Sequence, residues 1–166
     1  MGKVQSVFGN GSPGAVSRSV DEIVISVKNT GSADIPFGAP VFLAADGAVG
    51  FDTASPQDFS AFLGFAVRVP DKTPDSYPQG QFGDPPAGAW HAGDVMEVLV
   101  RGSVVARLAA SGDVGDSIYI RKSDGRLTPV AGSSGSTVLL ENVRIRRPRD
   151  AYGVVAELIV NKRNIL

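Results

Sequence analysis

The sequence contains no cysteine, a single histidine and a single tryptophan among its 166 residues. The missing cysteine excludes a disulfide framework, a thiolate metal or iron–sulfur site and a cysteine nucleophile. No apolar run approaches the roughly 18 residues that a membrane-spanning helix needs, and the first residues lack the apolar core of a signal peptide. We therefore expect a soluble, non-secreted protein with no membrane partner.

Candidate catalytic groups are scarce. Any Ser-His-Asp triad or histidine metal site would have to use His91, which lies in a segment rich in glycine and proline, and no nucleophile motif accompanies it. The carboxylates of Asp71, Asp75, Asp84 and Asp94 lack the spacing of a calcium loop. No phosphate-binding glycine motif is present either. We predict a protein that is not an enzyme and that has no cofactor and no metal site.

The residues that are abundant favour β-structure. There are 20 glycines and 11 prolines, yet 43% of the residues are hydrophobic, so short apolar runs alternate with frequent turns. Such spacing is typical of an antiparallel β-sandwich or barrel, and a jelly roll is possible. The only helical signal is one short turn at 55–62. The predicted strands are Ile23–Lys28, Phe37–Leu43, Phe62–Val69, Val95–Arg101, Ser103–Leu108, Ser117–Arg121, Leu127–Val130, Thr137–Arg147 and Val154–Val160.

We expect one β domain over 21–166, preceded by an extended arm over 1–20 that has no hydrophobic period. Residues 70–93 are rich in proline and glycine and form a predicted long loop, of a length that is usually functional or mobile. Both segments could contact a partner, because an arm that becomes ordered on a neighbour adds backbone hydrogen bonds and apolar anchors. The candidate anchors are Val4, Phe8 and Val16 in the arm and Tyr77, Phe82 and Trp90 in the loop.

Charge is distributed unevenly along the chain. Residues 1–143 hold 10 Lys and Arg against 15 Asp and Glu, whereas 144–166 hold 6 against 2. A net-negative body is repelled by phosphate, so no direct nucleic-acid partner is expected. Arginines suit carboxylate or phosphate partners, although an exposed strand face that resists edge pairing is an equally good interpretation. The candidate arginines are Arg144, Arg146, Arg147 and Arg149.

An ordered set of segments resembles the structural cement, or head-decoration, proteins of tailed bacteriophages. It comprises the runs at 35–41, 62–68 and 92–104, then 114–120 with the stretch from Gly125 to Pro129, and a final hairpin around Asn142 and 156–158. The match runs over roughly residues 35–160, and the loop at 70–91 looks longer than the usual connection of the family.

The resemblance implies a non-enzymatic β-rich protein on the outer face of the capsid in the virion. It would be assembled in the cytoplasm of the bacterial host, bind the phage major capsid protein, bridge neighbouring capsid subunits and act as a homodimer or homotrimer. The alternative is a β-barrel module that binds a ligand or carbohydrate, such as a receptor-recognition domain, with the aromatic side chains of the 70–93 loop as its stacking surface.

Overall fold

The computed structural model describes residues 11–53, 58–69, 88–148 and 155–164, and gives only the backbone of 18–20. Eleven strands account for most of the regular structure in these ranges. They are β1 Val16–Lys28, β2 Ile35–Pro36, β3 Pro40–Ala44, β4 Gly47–Val49, β5 Phe62–Ala66, β6 Ala89–Trp90, β7 Val95–Arg107, β8 Ser117–Arg121, β9 Leu127–Thr128, β10 Thr137–Arg147 and β11 Val155–Val160. Two 3₁₀ turns lie at Phe59–Ala61 and Ser133–Gly135, and no described helix is long and apolar enough to span a membrane.

The all-β prediction is confirmed, and the strands form an open sandwich rather than a closed barrel. One sheet has the order β4-β3-β5-β7-β11-β10-β8-β9, with β1 also paired to β7, and β2 pairs with β6 in a second small sheet. All of these named pairs are antiparallel. β7 is the strand that joins the two parts of the large sheet.

β7 has different neighbours along its length. β1 pairs with it from Val95 to Val104. Opposite β1, β5 pairs at Val98 and Leu99, whereas β11 pairs from Gly102 to Arg107. We call β4, β3 and β5 the first layer, and β11, β10, β8 and β9 the second layer. The first layer is therefore hydrogen-bonded to the first half of β7, and the second layer to its second half.

The molecule has two hydrophobic clusters. Cluster 1 lies between the first and second layers and includes Phe42 and Phe65 from the first with Ile118, Leu140 and Ile145 from the second. Cluster 2 lies on the opposite side of the first layer and is covered by the β2–β6 pair. Its buried members are Ile35, Phe37, Val41, Ala48, Leu63, Ala66, Trp90, Met96, Val98 and Val100. The inner strand of the first layer, β5, is thus buried on both faces, and the second layer packs against the core with one face only.

Several predicted boundaries change. β1 begins at Val16, so the last five residues of the predicted arm belong to a strand that pairs with β7, at Val16 and Arg18 within this stretch. The two strands predicted on either side of Gly102 are one strand, because Gly102 adopts a φ of 119° and the chain continues without a turn. The predicted loop at 70–93 includes β6, which pairs with Ile35 and Pro36, and residues 70–87 lie outside the described part of the chain.

Candidate binding face

The second layer presents one face to solvent through β10. Val143 and Ile145 are buried in cluster 1, whereas Arg144 and Arg146 are exposed, as the alternation in the sequence predicts. A bulge lies between Leu139, which is opposite Tyr119, and Arg144, which is opposite Ser117. Ser117 and Tyr119 are two residues apart on β8 and share a face, so Leu139 and Arg144 share that face as well.

Asn142 makes this bulge possible. It adopts a φ of 61°, a left-handed conformation in which asparagine is among the better-tolerated residues. Its side-chain Nδ2 donates to Asn164 Oδ1 at 2.7 Å, and its carbonyl accepts from the backbone N–H of Asn161 at 2.9 Å. These bonds fix the bulge, and therefore the direction in which Arg144 leaves the sheet.

Arg144 is held at the edge of β8. Its Nη1 donates to the carbonyl of Gly115 at 2.9 Å and to Ser117 Oγ at 2.9 Å. Both acceptors are neutral, so these bonds position the guanidinium without neutralising its charge. A guanidinium carries five N–H donors in a fixed fork, which suits it to a carboxylate of a partner.

Arg146 and Arg147 flank a carboxylate that sequence reasoning missed. Glu157 on β11 is only 5% exposed, and its Oε1 lies 3.6 Å from Arg146 Nε while its Oε2 lies 3.9 Å from Arg147 Nε. Ser17 Oγ donates to Glu157 Oε1 at 2.9 Å, and Arg146 Nη1 donates to Ser103 Oγ at 2.9 Å. This network joins β1, β7, β10 and β11. The sequence does contain a sign of this site. Glu157 is the one acidic residue in the otherwise apolar strand β11, and a buried charge requires a partner.

Apolar side chains lie beside these arginines. Leu139 is 47% exposed and is directly opposite the half-buried Tyr119, and the half-buried Ile159 is opposite Arg144. We call Tyr119, Leu139, Arg144, Arg146 and Ile159 the arginine face. Tyrosine and arginine are enriched where proteins bind one another, and the face carries two guanidinium groups close to apolar surface. Its chemistry fits a protein surface that offers carboxylates next to an apolar side chain.

A depression of about 410 Å³ extends the arginine face toward β1. Its lining includes Arg146, Ile159, Ser103 and the bend at Gly102. Arg101 and Asp21 also line the depression, and Arg101 Nη2 is 2.6 Å from Asp21 Oδ2. A partner side chain that reaches past the arginine face would enter here.

The root of the predicted arm is part of the β domain. Gly14 donates its N–H to the carbonyl of Val105 at 2.8 Å and accepts from the N–H of Arg68 at 2.8 Å. A Cβ at Gly14 would come within 2.8–2.9 Å of Phe37 Cβ and two backbone nitrogens, so only glycine fits there. Val16 pairs with Val104 and packs against cluster 1. Val16 thus contributes to the core, whereas Val4 and Phe8 lie outside the described residues.

Trp90 does not form an exposed aromatic surface. It is 5% exposed in cluster 2, its Nε1 donates to the carbonyl of Val67 at 2.9 Å, and its ring meets Phe37 edge-on at 6.1 Å between centroids. The pairing of Trp90 with Ile35 turns its side chain inward, which the local sequence does not reveal. Three other predicted site residues, Tyr77, Phe82 and Arg149, lie outside the described part of the chain.

His91 and the acidic residues form no composite site in the described ranges. His91 is exposed, and its Nδ1 lies 2.9 Å from Asp34 Oδ2. The backbone N–H of His91 donates to Asp94 Oδ2 at 2.8 Å, which closes the turn before β7. No described group of three or more His, Asp or Glu side chains is placed to hold a metal ion.

Asp124 organises the turn between β8 and β9. Burial pushes the pKa of Asp124 up, but the backbone N–H of Arg126 and the guanidinium of Arg121 outweigh that effect, so its pKa lies below the usual value. Arg121 Nε donates to Asp124 Oδ1 at 3.0 Å, and Arg126 Nε lies 3.7 Å from Asp124 Oδ2. These charges are arranged around a hairpin at the edge of the second layer, and they serve the turn rather than the arginine face.

Comparison with known proteins gives a family and a shared fold. The model of a family described as "Structural cement protein (E217 gp24/Pam3 gp6)" matches residues 2–161. A solved structure described as "The capsid of Myoviridae Phage XM1" has a TM-score of 0.69 to this chain at 17% sequence identity. That comparison covers 97% of this chain and 96% of the other. No curated protein matches the chain.

Proposed function

Because this chain belongs to the structural cement protein family of bacteriophages, we propose that it binds the outer surface of a phage capsid in the virion and joins neighbouring major capsid subunits, thereby stabilising the shell. The proposal assigns no catalytic role to any residue. It also assigns no membrane and no direct nucleic-acid partner, and it includes assembly in the cytoplasm of the bacterial host.

The arginine face is the observation that carries the proposal. It combines Arg144 and Arg146 with Leu139 and Tyr119 on the face of the second layer that points away from cluster 1. The arginines are held before a partner arrives, by Gly115 and Ser117 for Arg144 and by Ser103 and Glu157 for Arg146. Side chains that are already ordered lose less conformational entropy on binding. A capsid surface with carboxylates around an apolar residue would complement this face.

A shell also multiplies weak contacts. Each molecule that meets several capsid subunits gains effective concentration for every contact after the first. A single arginine face of modest affinity would then be enough for stable attachment. The first layer and the two clusters supply a body stiff enough to transmit force between the subunits, because close-packed interiors deform little.

The structure does not support Trp90 as the stacking surface of a ligand- or carbohydrate-binding module, the alternative function. It requires an exposed aromatic platform, and Trp90, its central residue, is buried against Phe37 and bonded to Val67. No observation in the described ranges favours that function over attachment to a capsid.

Sedimentation with capsid shells that lack this protein tests the proposal. The wild-type chain is expected to bind at a saturable ratio to the major capsid subunit. Leu139→Glu places a carboxylate among the arginines and removes the apolar contact, so we expect its affinity for shells to fall at least about tenfold. Val95→Glu makes the same kind of change at an exposed residue at the start of β7, and should bind like the wild type.

Two results would contradict the proposal. One is a folded wild-type chain that does not sediment with any such shell. The other is a Leu139→Glu variant that binds as well as Val95→Glu, which would exclude the arginine face as the contact. Circular dichroism melting of both variants shows whether a loss of binding comes from unfolding.

A further inference from the structure

The depression beside the arginine face is lined by more cations than anions. Its volume of about 410 Å³ lies within the range of roughly 300–1,000 Å³ that is typical of ligand pockets. Its lining includes two guanidinium groups, those of Arg101 on β7 and Arg146 on β10, and one carboxylate, that of Asp21 on β1. Charged side chains from three strands therefore meet at one place.

Arg146 and Ser103 offer hydrogen-bond donors to the depression. Arg146 is held from below, because its Nη1 donates to Ser103 Oγ at 2.9 Å and its Nε lies 3.6 Å from Glu157 Oε1. Its Nη2 makes no hydrogen bond to the described part of the chain. Ser103 is 2% exposed, and its single O–H donor has no acceptor among the described residues. An oxygen atom that entered here would find both donors already in place.

The second cation, Arg101, already has a carboxylate partner, but an exposed one. Arg101 Nη2 lies 2.6 Å from Asp21 Oδ2, and the two side chains are 41% and 73% exposed. Exposed ion pairs contribute little to stability, because water and salt screen them. Asp21 would also be well solvated after leaving Arg101. Another carboxylate can therefore replace Asp21 on Arg101 at small cost.

The charges around the depression favour one more anion. Arg146 and Arg147 share the single buried carboxylate of Glu157, so this group keeps a net positive charge, whereas Asp21 offsets Arg101. Three further charged residues lie close by in register, in space or in sequence, and they add one more positive charge: Arg18 opposite Ser103, Glu22 beside Gly102, and Lys162 after Asn161. A carboxylate of a partner is therefore attracted to this place.

We propose that the depression receives the side chain of one Asp or Glu of the capsid, and that Asp21 is a built-in competitor which this carboxylate displaces from Arg101. One oxygen of the incoming carboxylate accepts from Arg101, and the other accepts from Arg146 Nη2 and the Ser103 O–H. The half-buried Ile159 in the same lining contacts the methylene groups. The inference rests on the proposed function, and it names the group that is recognised and a residue that limits the affinity.

Removal of the competitor gives the first test. Asp21→Asn frees Arg101, so its affinity for capsid shells that lack this protein should rise about threefold, the size that an exposed ion pair allows. Glu22→Gln removes the same charge from a neighbouring residue outside the lining. It should bind like the wild type at 0.15 M salt, where charges separated by more than about 8 Å are screened. A gain in affinity cannot result from unfolding.

Removal of the cation gives the opposite result. Arg101→Gln should lower the affinity for shells at least about tenfold, because it removes one of the two groups that hold the carboxylate. Arg126→Gln makes the same change at an exposed arginine in the turn between β8 and β9, and should bind like the wild type. If Asp21 acts by competing for Arg101, Asp21→Asn should have no effect when combined with Arg101→Gln.

Chemical cross-linking tests which group of the capsid enters the depression. Arg101→Lys combined with Asp21→Asn places a primary amine in the lining and removes the carboxylate next to it. A carbodiimide joins an amine to a carboxylate that it contacts. In the complex with shells, we expect mass spectrometry to find position 101 linked to an Asp or Glu of the major capsid subunit. The exposed Lys122, in the turn between β8 and β9, should not form this link.

The outcomes separate this inference from the proposed function. If the folded wild type binds no shell, the proposed function is wrong and this inference with it. If the wild type binds but Arg101→Gln binds equally well, or Asp21→Asn binds no better than Glu22→Gln, only the inference is overturned. A cross-link from position 101 to its own chain alone would also overturn it. Thermal unfolding of Arg101→Gln shows whether its loss of binding comes from loss of the fold.

Discussion

β5 in the first layer is buried at all five of its residues, whereas β10 in the second layer alternates between buried and exposed residues. The difference follows from what lies on either side. The first layer has cluster 1 on one face and cluster 2 on the other, so every side chain of its inner strand β5 faces a core. The second layer has a core on one face only, and this leaves Arg144 and Arg146 exposed. The first layer therefore lies within the core, and the second layer presents the arginine face to solvent.

The largest effect is expected where the first layer approaches β7 most closely. A Cβ on Gly64 would lie 2.1 Å from the carbonyl oxygen of Leu99, a backbone atom that cannot move aside. Gly64→Ala should therefore lower the free energy of unfolding by about 3 kcal/mol or more. Urea denaturation followed by circular dichroism measures this change.

Gly115→Ala is the matched control in the second layer. No atom lies within 4 Å of its added Cβ, but its φ of 92° disfavours alanine, so we expect a loss of about 1 kcal/mol. Equal losses at Gly64 and Gly115 would show that the first layer is no more tightly packed than a surface turn.

An intermediate effect is expected in the second layer at Glu157. Glu157→Gln keeps the shape and the bond from Ser17 but removes the charge that Arg146 and Arg147 face. Because both arginines are partly solvated, the free energy of unfolding should fall by about 1–2 kcal/mol, less than for a fully buried pair. Thermal melting at low and high salt checks this value. Glu141→Gln, at an exposed position on β10, should melt like the wild type, and a similar loss there would contradict the special role of Glu157.

The smallest effect is expected at the edge of the second layer. The pKa of Asp124 is lowered in the folded chain, so its contribution to stability is present above its unfolded pKa, ordinarily 3.8, and is lost as the pH falls through its folded pKa. Its partners are exposed and screened by solvent, so Asp124→Asn should cost only about 0.5 kcal/mol at pH 7.

Urea denaturation at pH 7 and in acid checks the Asp124 prediction. The difference between Asp124→Asn and the wild type should shrink as the pH falls below the ordinary pKa of 3.8. Asp46→Asn, in the exposed turn between β3 and β4, provides the comparison. A difference that persisted in acid would mean that the side-chain amide, and not the lost charge, is responsible.

The contrast between fully buried and half-exposed strands also explains which elements the sequence could predict. The bounds of β8 and β10 match their predictions because a half-exposed strand leaves a period-two pattern that can be read locally. The all-β class and the outward direction of Arg144 and Arg146 follow from the same pattern. The first part of β1, residues 16–20, falls in the predicted arm because it carries no such alternation, and its strand forms by pairing with distant β7.

Features that depend on distant contacts could not be read from the sequence. Ser17 and Glu157 are 140 positions apart, and their hydrogen bond exists only because β1 and β11 both flank β7. Trp90 lies in a segment rich in glycine and proline, and only its pairing with Ile35 shows that it is buried. The local sequence predicts that Gly102 separates two strands. Its positive φ instead lets β7 run through this position and pair with both layers.

The placement of Val104 between Val16 and Leu158 has a consequence for synthesis on the ribosome. The strands of the first layer and β1 all precede the middle of β7, so this part can assemble as soon as β7 has emerged. β11 emerges much later, and until then cluster 1 lacks the buried side chains of Ala156, Leu158 and Val160. We therefore expect nascent chains that end before β11 to protect β5 from proteolysis while leaving Phe42 and Phe65 accessible to chaperones that bind apolar surface.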